Sequence, residues 1–216
     1  MVAVALLVGA HKIFGNPSIL VFPLALLGSV ALFGYAIGQS TMDHRAVAAV
    51  DPLTGTLTRT ALLSRVSELS LGDTLIDRPV SVVIADLDYF KAINDEHGHV
   101  TGDQVLTEVA GRLRASVRVF DSVYRIGGEE FLMLLMDTDE RTAVTAAERV
   151  RAAIRDQPVA GHDVTVSLGV ATRAAGTQLD YDALFAEADA ALLAAKASGR
   201  DRVLSGPPRP DHALAA

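Results

Sequence analysis

Two runs rich in strand-forming residues, 122–126 (SVYRI) and 129–136 (EEFLMLLM), are separated only by Gly127 and Gly128. Paired glycines between two such runs are a strong signal for a tight antiparallel hairpin. No other feature constrains the fold as much, because a sheet with an adjacent antiparallel pair is not a doubly wound parallel one. The same pattern predicts left-handed backbone at both glycines, and puts Glu129 and Glu130 on opposite faces of the second strand. Around the hairpin the apolar period changes back and forth. Residues 80–87 (VSVVIADL) are a β-branched run of the kind that forms a buried strand, and 164–172 form another. Residues 58–71, 105–117, 141–156 and 181–198 repeat their apolar positions at helical spacing. Helices interleaved with a sheet that contains at least one antiparallel hairpin predict an α+β domain from residue 51 onward.

The N-terminal stretch follows a different rule. Residues 1–42 hold one formal charge, Lys12, while the rest of the chain carries 18 basic and 26 acidic residues. Residues 19–38 are 20 consecutive uncharged positions, enough to cross ~30 Å of hydrocarbon as a helix. Pro23, Gly28 and Gly34 lie within this run, and membrane helices tolerate such residues better than soluble helices do. The run is too long for a signal peptide, and no basic stretch abuts it. Residues 2–14 are too short to span; they read as a truncated first helix or an interfacial segment. Lys12 and Arg45 flank the span one on each side, so charge does not orient it. The expected organisation is a membrane segment over 1–42, a helical linker over 43–50, the α+β domain, and a disordered tail over 206–216.

Composition narrows the chemistry. The domain is acidic and offers no broad basic face to a phosphate backbone, so a nucleic-acid polymer is not expected as a partner. The chain has no cysteine, which excludes disulfides and thiolate metal sites. Asp86 and Asp88 stand where the 80–87 strand runs out. With Glu129 and Glu130 they could form the oxygen-rich cluster that hard Mg²⁺ prefers. An EF-hand is ruled out, because Phe90 takes a ligand position and no glycine follows. His97 and His99 lack further ligands at zinc spacing. On residue types alone, solvated strand-end carboxylates and solvated cations at Lys91, Lys196 and Arg200 are equally open readings. So is a surface ion pair between Arg118 and Asp121.

The motifs taken together carry further. Residues 86–106 (DLDYFKAINDEHGHVTGDQVL) and 125–131 (RIGGEEF) strongly resemble the GGDEF family of diguanylate cyclases. Four more pieces follow the family order: 51–59 (DPLTGTLTR), 166–171 (VSLGVA), 188–196 (ADAALLAAK) and 199–203 (GRDRV). The resemblance covers about residues 51–204 and implies an α+β fold with a central, mostly antiparallel sheet flanked by helices, like the palm of nucleotide cyclases, and condensation of two GTP into cyclic di-GMP. It implies Mg²⁺, or Mn²⁺, held by Asp86, the Leu87 carbonyl and Glu129, with Glu129 also accepting a proton and Glu130 in support. Lys91, Lys196 and Arg200 would meet the phosphates, and Gly127 and Gly128 would let the backbone approach the nucleotide. Asn94 and Asp103, with His99 nearby, would read guanine.

Arg118 and Asp121 match the family's RxxD site for inhibition by product, with Arg149 as its secondary arginine. One GTP per domain implies a homodimer, and the family context implies a bacterial inner membrane with the catalytic domain in the cytoplasm. The competing expectation is a non-catalytic cyclic di-GMP receptor, which usually has a damaged motif; here residues 127–131 are intact. Thr56, Thr58, Leu193 and Asp201 depart from the usual pattern, all outside the metal, base and phosphate positions.

Overall fold

The computed structural model describes residues 49–71 and 78–206. The expected membrane segment at 1–42, linker residues 43–48 and tail residues 207–216 lie outside the described residues. Among the described residues no helix is long and apolar enough to cross a membrane.

In chain order the elements are β1 (Leu57–Thr58), α1 (Arg59–Leu71), β2 (Val80–Leu87), α2 (Phe90–His97), α3 (His99–Ser116) and β3 (Ser122–Arg125). They continue with β4 (Glu130–Met136), α4 (Glu140–Arg155), β5 (Val166–Arg173), α5 (Tyr181–Ala197) and β6 (Val203–Ser205). The strands form one sheet in the order β1-β3-β4-β2-β5-β6. Its centre is antiparallel, through β3–β4, β4–β2 and β2–β5, and its two outer pairs, β1–β3 and β5–β6, are parallel. The α+β expectation therefore holds, with short parallel strands added at both margins.

Strand β2 lies at the centre and is buried along its whole length. Its side chains alternate between two cores, as a period of two requires. Val83, Ala85 and Leu87 join Phe131, Met133 and Leu135 under α3 and α4. Val80, Val82 and Ile84 join Leu132 and Leu134 under α1 and α5. By this alternation Asp86 belongs to the α5 face and Leu87 to the α3–α4 face.

The structure corrects three local expectations. The linker is not helical through residue 50. Val50 bridges Leu57, and Ala49 accepts a hydrogen bond from the Thr58 N–H at 3.0 Å. Pro52 disfavours helical backbone at the residue before it, and Asp51 instead holds a turn by accepting from the Thr54 N–H and hydroxyl at 2.9 and 2.6 Å. Second, α3 begins at His99, not 105, and a separate helix α2 precedes it. Gly98 makes the corner at φ 82°: its N–H donates to Asn94 O, ending α2, and its carbonyl accepts from the Gly102 N–H, opening α3. Residues 90–104 are too polar for that break to appear in an apolar period. Third, Gly206, assigned to the tail, still donates to Val170 O at 2.9 Å beside β6.

Candidate active site

The C-terminal end of β2 gathers side chains from distant parts of the chain. Asp86 is buried and pairs in register with Glu130 of β4 and Ser167 of β5. Its carboxylate meets Lys196 of α5, Nζ to Oδ2, at 2.8 Å. That contact requires α5 to lie close against the sheet, and Gly169 of β5 makes this possible. A Cβ at Gly169 would stand 2.0 Å from Ala188 O and 2.3 Å from Leu192 N, both in the α5 backbone.

Glu129 approaches from the β3–β4 turn. Burial pushes the Glu129 carboxyl above the usual carboxylate range; the Asp86 and Glu130 charges add to this, and Lys196 opposes it. Asp86 is raised for the same first reason, burial. Lys196 pulls it down through hydrogen bond and charge, while Asp88 pushes it up. Two carboxylates that share one low-dielectric corner in this way resist joint ionisation unless a cation compensates.

Asp88 does something else. The sequence allowed it into the oxygen cluster, but its side chain is fully buried and its oxygens are taken. It accepts from Thr165 Oγ1 at 2.8 Å, Ser167 Oγ at 2.7 Å and the Asp201 N–H at 3.1 Å. It is a clamp joining β2, β5 and the segment after α5, and it is not available to a metal. Among the described residues no group of three or more metal-ligating side chains is assembled. What fits a divalent cation is the hard-oxygen pair Asp86 and Glu129, with the Lys196 ammonium already standing as a cation against Asp86. Leu87 offers only backbone: its side chain is core, and its N–H donates to Glu129 O at 3.4 Å.

The hairpin differs from its sequence reading. Residues 126–129 all lie between the strands, so Glu129 is a turn residue and β4 starts at Glu130. The Ile126 and Gly127 N–H groups both donate to Glu130 O, at 3.0 and 3.3 Å. The longer turn spreads the chain reversal, so neither Gly127 nor Gly128 adopts positive φ. Gly127 lies under the Glu130 side chain: a Cβ there would stand 2.2 Å from Glu130 Oε2, which would have to turn away. Gly128 faces open space and leaves its backbone approachable. The Glu130 side chain packs over Gly127. Arg125 braces the turn by donating to Gly128 O at 3.2 and 2.7 Å, while its Nη1 meets Asp51 at 3.1 Å. Burial works to raise the Asp51 carboxyl, but the Thr54 hydrogen bonds and Arg125 outweigh it and hold it low. This brace went unread because its two ends lie far apart in sequence.

Lys91 is exposed in the first turn of α2. Asn94 of the same helix packs on Gly102 in α3, whose Cβ would stand 2.0 Å from Asn94 Oδ1. Asp103 is the next residue and is exposed, as is His99 at the start of α3. The α2–α3 corner thus brings the expected base-reading residues Asn94 and Asp103 together. Arg200 reaches the end of β2 from the other side, with its guanidinium 4.5 Å from the Tyr89 ring centroid and its Nε 3.9 Å from Asp88 Oδ1.

Arg118, Asp121 and Arg149 lie elsewhere. The Asp121 carboxylate accepts from the backbone N–H of Arg118 at 3.0 Å and of Met136 at 3.3 Å. Among the described residues it forms no ion pair with the Arg118 side chain. The Arg149 Nε donates to Ser116 O at 3.1 Å, beside the same loop. Met136 and Glu130 are opposite ends of β4, so this loop stands on the order of 20 Å from the β2 terminus at a strand rise of ~3.3 Å per residue.

Residues 48–202 match the family model described as diguanylate cyclase, GGDEF domain. The chain is 39% identical over 173 residues to response regulator PleD of Caulobacter vibrioides, covering 77% of this chain and 38% of the relative. It is 37% identical over 163 residues to diguanylate cyclase DgcP of Pseudomonas aeruginosa, covering 74% of this chain and 24% of the relative. The chain thus spans well under half the length of these curated relatives. Among solved structures it is similar to the coiled coil and GGDEF domain of DgcB from Caulobacter crescentus in complex with c-di-GMP. The TM-score there is 0.68 at 28% identity, over 84% of this chain and 98% of that one. It is also similar to diguanylate cyclase SiaD of Pseudomonas aeruginosa in complex with its activator SiaC. That match has TM-score 0.67 at 34% identity, over 92% and 79%. With the family model matched across well over half its length, the chain belongs to the diguanylate cyclase GGDEF-domain family.

Proposed function

We propose that this chain is a diguanylate cyclase that condenses two GTP into cyclic di-GMP and two pyrophosphates. The observation that carries the reading is the convergence of Asp86, Glu129 and Lys196 at the end of β2, beside Arg200. Mg²⁺, or Mn²⁺, held by Asp86, Glu129 and the Leu87 carbonyl, would supply charge neutralisation at the α-phosphate. The 3′-hydroxyl oxygen of one GTP attacks the α-phosphorus of the other. A new P–O bond forms, the bond to pyrophosphate breaks, and Glu129 takes the hydroxyl proton. Lys91, Lys196 and Arg200 offset charge on the phosphates. Asn94 and Asp103 read guanine, whose N1–H and 2-amino group the Asp103 carboxylate accepts; adenine lacks both donors.

Each domain holds one GTP, so two copies face each other in a homodimer. Cyclic di-GMP also returns as an inhibitor at Arg118, Asp121 and Arg149. Residues 19–38 anchor the chain in a bacterial inner membrane, with this domain in the cytoplasm. The intact Asp86–Lys196 corner favours an enzyme over a receptor that uses only the Arg118 loop.

The test is incubation of the full chain in detergent with GTP and Mg²⁺, with the product identified by mass. Cyclic di-GMP from GTP and no cyclic dinucleotide from ATP is the expected outcome. Tight binding of cyclic di-GMP without any synthesis would favour the receptor instead.

A further inference from the structure

Tyr89 combines two features that nothing in the fold requires of a tyrosine. Its backbone is left-handed at φ 57°, a conformation rare for bulky side chains, and its side chain is 66% exposed. Glycine or asparagine would turn β2 into α2 at less cost. The turn itself needs only the Tyr89 carbonyl, which accepts from the Ala92 N–H at 2.9 Å. An exposed ring offsets no strain through burial. Strain kept under such conditions marks a functional position.

Among the described residues the ring has one partner. The Arg200 guanidinium lies 4.5 Å from its centroid, and Arg200 Nη1 is 3.3 Å from the Tyr89 hydroxyl. Arg200 is itself left-handed at φ 59°, between Gly199 at 112° and Asp201 at 43°. The end of α5 begins to hold them: the Gly199 N–H donates to Lys196 O at 3.4 Å and the Arg200 N–H to Ala195 O at 3.1 Å. Asp88 adds to this by accepting from the Asp201 N–H, and so does Arg151 of α4, whose Nη1 donates to Asp201 Oδ1 at 2.8 Å. The backbone of Arg200 is thus held by α5 and, through Asp201, by Asp88, the residue next to Tyr89, and its side chain lies on the Tyr89 ring.

We propose that Tyr89 is a positioning residue: its strained backbone presents the ring as a platform that holds Arg200 ready for the terminal phosphates of GTP. This rests on the phosphate role proposed above for Arg200. A preset arginine binds with less loss of side-chain freedom, so removing the platform weakens the phosphate contact without touching the base contact.

The test measures binding to the full chain, with Mg²⁺ present, of 3′-deoxy-GTP and of GMP. The first lacks the attacking hydroxyl and the second lacks the terminal phosphates. Tyr89→Gly is expected to weaken 3′-deoxy-GTP about two- to fivefold, the scale of an exposed cation–π contact, and to leave GMP unchanged. Its ligand-free melting temperature should equal or exceed that of the parent, since glycine relieves the backbone. Tyr89→Phe should retain most of the affinity. In an Arg200→Ala background, adding Tyr89→Gly should change nothing. Equal weakening of both nucleotides, additivity with Arg200→Ala, or a lowered melting temperature would overturn the proposal. Arg200→Ala that binds 3′-deoxy-GTP as the parent does would sink the phosphate reading itself, and the proposal with it. Arg200→Ala that weakens binding while Tyr89→Gly does not would sink the proposal alone.

Discussion

The two ends of strand β4 are built on opposite principles. At one end Glu129 and Glu130 enter a corner with Asp86, Lys196 and Arg200, drawn from β2, α5 and the loop beyond it. Burial pushes the Asp86 and Glu129 carboxyls above their usual range, and backbones at Tyr89, Arg200 and Asp201 are left-handed. At the other end the Arg118–Asp121 loop is closed by short-range backbone bonds, with Val119 96% and Phe120 86% exposed. The first end stores strain and unfavourable charge, which binding of cation and phosphate can relieve. The second end is held by local bonds, and its left-handed backbone, Asp137 at φ 51°, falls just past β4.

The largest expected effect tests the charged end. Asp86→Ala removes the carboxylate that the rest of the corner surrounds, and should reduce cyclic di-GMP synthesis by at least about 10³-fold. The melting temperature should change little, because Lys196 is partly exposed and can turn to solvent. Near-normal synthesis, read by product mass, would remove Asp86 from the chemistry and dissolve the contrast between the two ends.

Gly169→Ala tests whether that end depends on remote packing. Its methyl would collide with the α5 backbone, so overpacking of about 1–3 kcal/mol is expected. Synthesis should fall together with the melting temperature, because Lys196 moves off Asp86 with its helix. Added cyclic di-GMP should still bind at the Arg118 loop. Loss of that binding as well would show that the two ends are not built independently.

Gly102→Ala acts more narrowly. Its methyl displaces Asn94, and the preference for GTP over ATP should drop about tenfold, the scale of one mismatched polar contact. Rates measured with each nucleotide settle it, and an unchanged ratio would mean that Asn94 does not read the base.

A smaller effect follows from Glu129. A carboxyl raised in the folded state favours folding while protonated, and that contribution is lost as pH rises through its raised value. With chelator present, Glu129→Gln should therefore be more stable than the parent at neutral pH. The advantage should shrink as pH falls through the raised value, as seen in denaturant midpoints taken across that range. A pH-independent difference would show that the charge at Glu129 is not stored strain.

The smallest effect on the fold belongs to the quiet end. Arg118→Ala should alter stability by less than about 0.5 kcal/mol, yet added cyclic di-GMP should no longer inhibit at saturating GTP. Inhibition equal to the parent, or inhibition reversed by excess GTP, would leave the loop without a regulatory part.

Much of this was legible in residue order. The β-branched run at 80–87 and the apolar run ending at 136 marked the central strands, and the motif spacing nominated Asp86, Glu129, Lys196 and Arg200. Those signals are local or periodic, and they survive in one dimension because each strand or helix buries one face regardless of its partners. The fates of Asp86 and Asp88 were not legible. Two aspartates one residue apart look alike in sequence, but one meets Lys196 and the other is consumed by Thr165, Ser167 and Asp201. The two-residue hairpin also failed, because Arg125, anchored to Asp51, stabilises a longer turn than the glycine pair suggests. The margin strands β1 and β6 are two and three residues long and are held by neighbours distant in sequence, β3 and β5, with Val50 also bridging Leu57 of β1. The sequence by itself determined the layers, the central strands and the identity of the charged groups. Tertiary structure alone decided which charges are satisfied and which are left to bind, since partners brought together from distant segments, as Asp86 and Lys196 are, leave no period for the sequence to display.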